Sequence, residues 1–361
     1  MHIDRLHFYL EDARKWRDWF VKVMGFTAIA SGQNHLTHTE VVRSGAVTFV
    51  LSSPLSRSSP IAAYLEEHPP GIGDVSFCVE DIESVIERVV ASGGKIIESI
   101  QQKKYQRGSL KWAKFISIAN ISHTIVERKG ITPLLPEDWI AQKQPLSEKE
   151  PNFTGIDHLV LNVPAGNLEK TVNWYQNALG FVKKQDFKIA TAKSKLYSIV
   201  MVHPASALQF PVNEPGSPNS QIQEFIDFNR GSGIQHLALK TPGVTKIAKQ
   251  LHENGLSFLS VPITYYTQLK NKYPNLNLSD REWEDIIESK ILVDCQPKEI
   301  NIKDSFNLPL LLQIFTKPIF KEPTFFFELI ERRDRAKGFG EGNFQALFEA
   351  IEREQIQRGN L

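Results

Sequence analysis

Two apolar rhythms alternate along this chain, and together they predict strands separated by single helices. Residues 156–163 form a nearly continuous apolar run, the pattern of a buried strand, and Pro164-Ala165-Gly166 ends it. Leu168, Val172, Tyr175 and Leu179 then recur at helical spacing, and Gly180 closes the helix. Three strand-like runs follow, over 181–189, 195–202 and 208–212, so the unit reads βαβββ. A second unit starts at Gly233, with a strand over 234–239 and a helix stripe of Val244, Ile247, Ala248 and Leu251. A polar excursion over 263–289 predicts a surface helix over 279–289 with Ser279 as its N-cap. Strands over 291–295, 310–315 and 325–330 complete the unit.

The first half repeats this plan more loosely. Ile82, Val85, Ile86, Val89 and Val90 make a helix stripe, and residues 47–51 and 115–118 read as strands. Residues 130–153 are rich in proline and charge and read as the connection between halves. Near the end, Phe344, Leu347, Phe348 and Ile351 share one face of an amphipathic stretch over 343–355. It follows Gly338-Phe339-Gly340-Glu341-Gly342, which predicts a helix that packs over something and moves on a hinge. The expected fold is α+β in two domains. Residues 1–130 form the first, 131–153 the linker, and 154–361 the second, ending in that helix. A length of 361 residues suits this division.

Composition narrows the classes of function. A net charge of +1 gives no basis for a nucleic-acid or anionic-membrane partner. No stretch approaches the ~20 apolar residues of a membrane span. The chain enters a strand-like segment at once, so no signal or transit peptide is expected. Cys78 and Cys295 fall in separate halves, which predicts no disulfide framework and a cytoplasmic setting.

The halves also align residue by residue. Ile3-Asp4-Arg5-Leu6 matches Ile156-Asp157-His158-Leu159, and the helices that follow end in Met24-Gly25-Phe26 and Leu179-Gly180-Phe181. Gly71-Ile72-Gly73-Asp74 matches Gly233-Ile234-Gln235-His236, and Thr124-Ile125-Val126-Glu127-Arg128 matches Glu328-Leu329-Ile330-Glu331-Arg332. In this register His158, His236 and Glu328 of the second half stand where the first has Arg5, Asp74 and Thr124. Two imidazoles and a carboxylate suit a divalent iron centre that keeps up to three positions open. Arg, Asp and Thr do not. A lone strand histidine is more often an ordinary half-buried residue. Three ligand types in matched places, all missing from the sister half, favour the metal. The other histidines carry less. His35 and His38 sit among polar turn residues and read as a solvated loop, while His203 reads as structural. His7 lies near the position matching His158, with its side chain expected on the opposite strand face.

Polar and aromatic residues surround this set in sequence. Gln235 and Gln313 are amides in apolar strands, and a buried amide either orients a ligand or satisfies backbone. Ser198 and Asn213 are similar. Phe315, Phe326, Phe339 and Phe344 could sandwich a ring or simply pack a core. Phe326 shares a face with Glu328, two residues on.

These segments resemble the 4-hydroxyphenylpyruvate dioxygenase family of the vicinal-oxygen-chelate superfamily. The resemblance rests on Gly155-Ile156-Asp157-His158, Leu208-Gln209-Phe210-Pro211-Val212-Asn213-Glu214-Pro215 and Ser220-Gln221-Ile222-Gln223-Glu224-Phe225. It continues in Gly233-Ile234-Gln235-His236-Leu237-Ala238-Leu239, Leu311-Leu312-Gln313-Ile314-Phe315-Thr316, Phe325-Phe326-Phe327-Glu328 and Gly338-Phe339-Gly340-Glu341-Gly342-Asn343-Phe344. These span about 155–348 in the family's order, whereas the first 150 residues resemble it only at superfamily level. The resemblance implies paired βαβββ modules that form half-closed barrels, with a C-terminal lid helix. It implies Fe(II) on His158, His236 and Glu328, and an aromatic α-keto acid and O2 as substrates. CO2 would be lost, the ring hydroxylated and the side chain moved to the next carbon, giving homogentisate. Gln235, Gln313, Ser198 and Asn213 would form the catalytic polar set. Gln221, Phe315, Phe326, Phe339, Asn343 and Phe344 would contact substrate. A dimer or tetramer is expected. Whether the product serves tyrosine breakdown or plastoquinone and tocopherol synthesis stays open. Three rivals remain: 4-hydroxymandelate synthase, an extradiol ring-cleaving dioxygenase, and a metal-free binding protein on the same modules.

Overall fold

A computed structural model describes residues 1–142, 150–206, 208–274, 276–295 and 308–360 of the chain. The first half contributes β1 (His2–Tyr9), α1 (Ala13–Lys22), β2 (Thr27–Gln33), β3 (Thr37–Ser44), β4 (Val47–Pro54) and α2 (Pro60–Glu67). It continues with β5 (Gly71–Val79), α3 (Ile82–Ala91), β6 (Lys95–Tyr105), β7 (Gly108–Ile116), β8 (Ser122–Gly130) and β9 (Ile140–Gln142). The second half has β10 (Gly155–Asn162), α4 (Leu168–Leu179), β11 (Val182–Ala190), β12 (Lys195–Val202), β13 (Gln209–Pro215) and α5 (Gln221–Asn229). Then come β14 (Gly233–Lys240), α6 (Val244–Glu253), α7 (Ile263–Lys272), α8 (Asp280–Glu288), β15 (Leu292–Cys295), β16 (Leu310–Phe315), β17 (Phe326–Arg332) and α9 (Phe344–Arg358).

The strands form two mixed sheets of the same design. The first runs β6-β7-β8-β5-β1-β4-β3-β2-β9 and the second, read from its other edge, β15-β16-β17-β14-β10-β13-β12-β11. Each is a half-barrel, and β1 and β10 occupy the same place at its centre. The chain has local reasons to make these elements. Gly180 closes α4 at φ 74°, a left-handed conformation that glycine adopts without a Cβ penalty. Ser279 caps α8, and Glu282 answers it from the third position to complete a capping box. Glu127 caps α3 through the Ile82 N–H (3.1 Å), and its counterpart Glu331 caps α6 through Val244 (2.8 Å).

Helices α2, α5 and α7 and strand β9 have no counterpart in the expected plan, and β2, β3 and β6 were covered only by its loose repetition in the first half. Helix α5 has a good cap in Ser220 and buries Ile222, Phe225 and Ile226, but it is short. Helix α7 buries only Tyr266 and Leu269 and has no side-chain cap, so its pattern is faint. Strand β9 falls in the expected linker, where it pairs with the edge of β2. Leu134, Leu135 and Ile140 there pack against Ala30, Val41 and Val50. Residues 143–149 of that linker lie outside the described residues.

Two histidines behave differently from expectation. His38 lies in β3, is 5% exposed and bonds Glu40 at 3.0 Å, so it is no loop residue. His7 stands directly across from Asp74 on β5, on the face Arg5 shares, because residues two apart keep one side of a strand. It bonds Ser52 at 2.7 Å.

One apolar core runs through both halves. It is completed by exchange of helices. From α1, Trp16 meets Phe320 and Phe20 meets Phe327. From α4, Trp174 meets Phe115, and the Tyr175 hydroxyl donates to His123 Nε2 at 2.8 Å while His123 Nδ1 faces the Val75 carbonyl at 3.2 Å.

Candidate metal centre

Sheet register brings the three ligand candidates together. His158 lies on β10. Two residues on, Val160 stands opposite His236 of β14, and Ala238 stands beside Glu328 of β17. The first sheet repeats this lattice with His7 opposite Asp74 and Ser76 beside Thr124, so Arg5, Asp74 and Thr124 fill the same three places. In the second half all three side chains are buried, with one ligand atom from each lying within 4.8 Å of the others. Glu328 Oε2 lies 3.1 Å from His158 Nε2 and 3.8 Å from His236 Nε2. Among the described residues no second such group forms.

Two β-bulges shape the site. On β10 the step from Ile156 to His158 spans one residue pair of β14, which leaves Asp157 as the extra residue. On β14 the step from Ile234 to His236 leaves Gln235 as the extra residue. A bulge re-aims a side chain that alternation would send elsewhere. Asp157 can therefore accept from Nδ1 of its neighbour His158 at 3.0 Å, and both Gln235 and His236 line one cleft.

Arg332 forks onto Asp157 at 2.7 and 2.8 Å. Burial disfavours the Asp157 carboxylate, but hydrogen bonds from Arg332 and His158 hold its pKa well below the usual range. The sister half keeps this pair as Arg128 on Asp4, at 2.9 and 3.0 Å, although it has lost the ligands. Sequence reasoning missed Asp157 and Arg332 as site residues. Their persistence in both aligned halves was the available signal.

The donor set fits a divalent cation. Asp157 fixes the Nδ1–H tautomer of His158 and turns the Nε2 lone pair toward Glu328. Burial opposes charge on His158, yet Glu328 and Asp157 raise its pKa to about 9. His158 Nε2 and Glu328 Oε2 face each other at 3.1 Å, and a cation between them would satisfy both. Burial, then His158, pushes His236 well below its ordinary value, which favours the neutral imidazole a ligand must be. Its Nδ1 is buried without a hydrogen-bond partner among the described residues. Phe326 stacks on His236 at 4.8 Å, and Phe339 meets His158 edge-on at 5.0 Å.

The ligands open into a cleft of about 720 Å³, counting its mouth. Its walls include Gln235, Gln313, Ser198, Asn213 and Gln221. Phe315, Phe326, Phe339, Asn343 and Phe344 also face it. All thirteen residues expected at the site therefore come together in one place. The apolar remainder includes Ile189, Leu196, Ile222, Leu347, Phe348 and Ile351, of which the last three belong to α9. Ser198, Asn213 and Asn162 lie on one rung across three strands. That rung stands four residues along β10 from His158, about 13 Å. Gln221, another lining residue, has a buried Oε1 with no hydrogen-bond partner among the described residues. Gln313 is differently placed. Its amide donates to Glu328 Oε1 and to the Phe339 carbonyl, both at 2.9 Å, and accepts from Asn343 at 2.8 Å.

Comparison with known proteins accords with this geometry. Residues 155–273 match the glyoxalase/bleomycin resistance protein/dioxygenase superfamily, and residues 3–113 match the N-terminal region of hydroxyphenylpyruvate dioxygenase. A 4-hydroxyphenylpyruvate dioxygenase of Yarrowia lipolytica is 36% identical over 99% of this chain and 93% of its own length. That of Dictyostelium discoideum is 35% identical over 99% of both chains. The chain belongs to the 4-hydroxyphenylpyruvate dioxygenase family. The dioxygenase likeness thus reaches into the first half, contrary to the expectation of superfamily likeness only. A solved triple mutant of 4-hydroxymandelate synthase from Streptomyces coelicolor superposes with a TM-score of 0.82, at 25% identity and 98% coverage of both chains. As a 4-hydroxyphenylpyruvate dioxygenase family member the chain is an enzyme, and the family implies a metal cofactor. No helix among the described residues is long and apolar enough to cross a membrane.

Proposed function

We propose that the chain uses Fe(II) to convert 4-hydroxyphenylpyruvate and O2 to homogentisate and CO2. The observation that carries this reading is a cleft with two polar ends and apolar walls. At one end stand His158, His236 and Glu328. About 13 Å along β10 stand Ser198 and Asn213, and Gln221, whose buried oxygen has no partner among the described residues, also lines the cleft. A rod-shaped substrate with an α-keto acid at one end and a phenol at the other matches both.

Held by His158, His236 and Glu328, Fe(II) would supply the oxidising chemistry. The chain's own residues place the substrate and keep the site dry. Gln221 Oε1 accepts a hydrogen bond from the phenol, beside Ser198 and Asn213. Phe315, Phe326 and Phe344 restrict the ring to one plane. Leu347, Phe348 and Ile351 close α9 over the cleft and exclude water, which protects a reactive oxidant from side reactions. Gln313 holds the Glu328 oxygen that faces away from the imidazoles.

Product analysis tests the reading. Anaerobic Fe(II)-loaded protein is mixed with 4-hydroxyphenylpyruvate, O2 is admitted, and the products are separated with mass detection. Homogentisate is expected. 4-Hydroxymandelate would move the assignment to the synthase reaction, and unconsumed substrate would overturn both.

A further inference from the structure

A tyrosine outside the cleft ends a chain of hydrogen bonds that begins at a metal ligand. Gln313 Nε2 donates to Glu328 Oε1 at 2.9 Å. Asn343 Nδ2 donates to Gln313 Oε1 at 2.8 Å, and the Tyr265 hydroxyl donates to Asn343 Oδ1 at 2.8 Å. Tyr265 belongs to α7 and does not line the cleft. Resting on the iron-enzyme reading above, we infer that Tyr265 is a positioning residue that ties the seating of α9 to the orientation of Glu328.

The direction of each bond follows from the carboxylate. Glu328 Oε1 and the Phe339 carbonyl only accept, so both force the NH2 of Gln313 toward them. The Gln313 oxygen then faces Asn343, whose NH2 must meet it. The Asn343 oxygen is thereby left for Tyr265, which must donate. The relay has a single polarity, and its amide orientations are not free to flip. Glu328 Oε1 is engaged by Gln313, so Oε2 is the oxygen turned to His158 and His236.

The far end of the relay has two settings. Tyr265 has one hydroxyl hydrogen but two acceptors in reach, Asn343 Oδ1 at 2.8 Å and the Val293 carbonyl at 3.1 Å, while the Val293 N–H donates to its oxygen at 2.8 Å. Asn343 is the residue at which α9 begins. When α9 lifts and Asn343 departs, the hydroxyl turns to Val293 and stays satisfied. Seating α9 therefore orders Gln313 and Glu328, and unseating it leaves no orphaned phenol.

The test uses Tyr265→Phe, Asn343→Ala and the double variant of the full-length protein. Metal affinity and the visible spectrum of the Co(II)-substituted protein are recorded alongside steady-state turnover. Removing a group that orients a ligand typically costs about 10- to 100-fold in metal affinity or activity. Tyr265→Phe is expected to lower kcat by about tenfold with little change in KM, and to alter the Co(II) spectrum. In the double variant the loss should match that of Asn343→Ala alone, because one broken link already opens the relay. An unchanged spectrum and kcat in Tyr265→Phe, or strictly additive losses in the double variant, would overturn the inference. Asn343→Ala leaves the Tyr265–Val293 bonds intact, so if Tyr265→Phe fails to fold, an unchanged Co(II) spectrum in Asn343→Ala overturns the inference and an altered one supports it. The Co(II) spectrum needs no turnover and tests the relay even if the substrate proves to be another compound.

Discussion

Arg332 holds Asp157 with two parallel N–H donors, and its NH2 group also donates to the carbonyl of Gly338 at 2.9 Å. One guanidinium thus braces both the partner of the candidate ligand His158 and the start of the glycine-rich segment. Asp157→Asn keeps the shape but removes the charge that turns His158. Metal affinity is expected to fall about 10- to 100-fold, with the fold retained. Titration of the apo-protein with Fe(II) or Co(II) measures this, and wild-type affinity would refute the role.

Gly340 sits at φ 75°, where a Cβ would overlap Gln313 Oε1. Gly340→Ala must therefore push away the amide that holds Glu328, besides straining the backbone by about 1–2 kcal/mol. Turnover is expected to fall about 100-fold, the scale of a small misplacement at a reacting centre. Kinetics beside a circular dichroism spectrum would separate this from unfolding. An active variant would show that the hinge tolerates displacement.

Glu352 fastens α9 to the turn between β11 and β12. Its Oε1 accepts from Thr191 and Ser194, both at 2.6 Å, and the residue is buried. Hydrogen bonds to a charged group contribute about 1.5–3 kcal/mol each. Glu352→Ala should loosen the helix, raise KM several-fold and expose residues after Gly342 to protease. A digestion pattern identical to the wild type would rule out the latch.

His123 joins the halves at Tyr175, and burial lowers its pKa to about 4 against the pull of Asp74. Above pH 6.5 it is neutral in both the folded and unfolded chain. Below 6.5 the unfolded chain takes up a proton that the fold resists until about pH 4, so stability present above 6.5 is lost across that window. The loss is about 3 kcal/mol at about 1.4 kcal/mol per pH unit. Urea unfolding between pH 7 and 4 should show a slope flatter by about one proton in His123→Gln. Parallel slopes would contradict the buried neutral state.

The sequence displayed most of this architecture because the strands at the centre of each sheet are continuous apolar runs and the ligands repeat at fixed offsets. His158, His236 and Glu328 could be paired by alignment alone. Asp157 and Gln235 could not be aimed, since each is the extra residue of a bulge and period-two alternation fails there. The same alternation, applied two residues on from Arg5, should have put His7 beside Asp74. Arg332 and Asp157 are 175 positions apart, and only the fold closes that distance. Tyr265 was invisible because α7 shows almost no apolar stripe and the hydroxyl's partners come from β15 and α9.

Helix α1 of the ligand-poor half covers Phe320 and Phe327 behind the metal centre, and α4 of the other half covers Phe115. Cutting the chain between them would bare an aromatic wall on each fragment, and such surfaces invite aggregation. The first barrel is therefore a scaffold its sibling cannot outgrow. Its interior carries Arg5, Asp74 and Thr124 where its sibling carries the candidate ligands, while its helices stay packed against that sibling. A minimal enzyme made by trimming the silent half would have to rebuild that skin first.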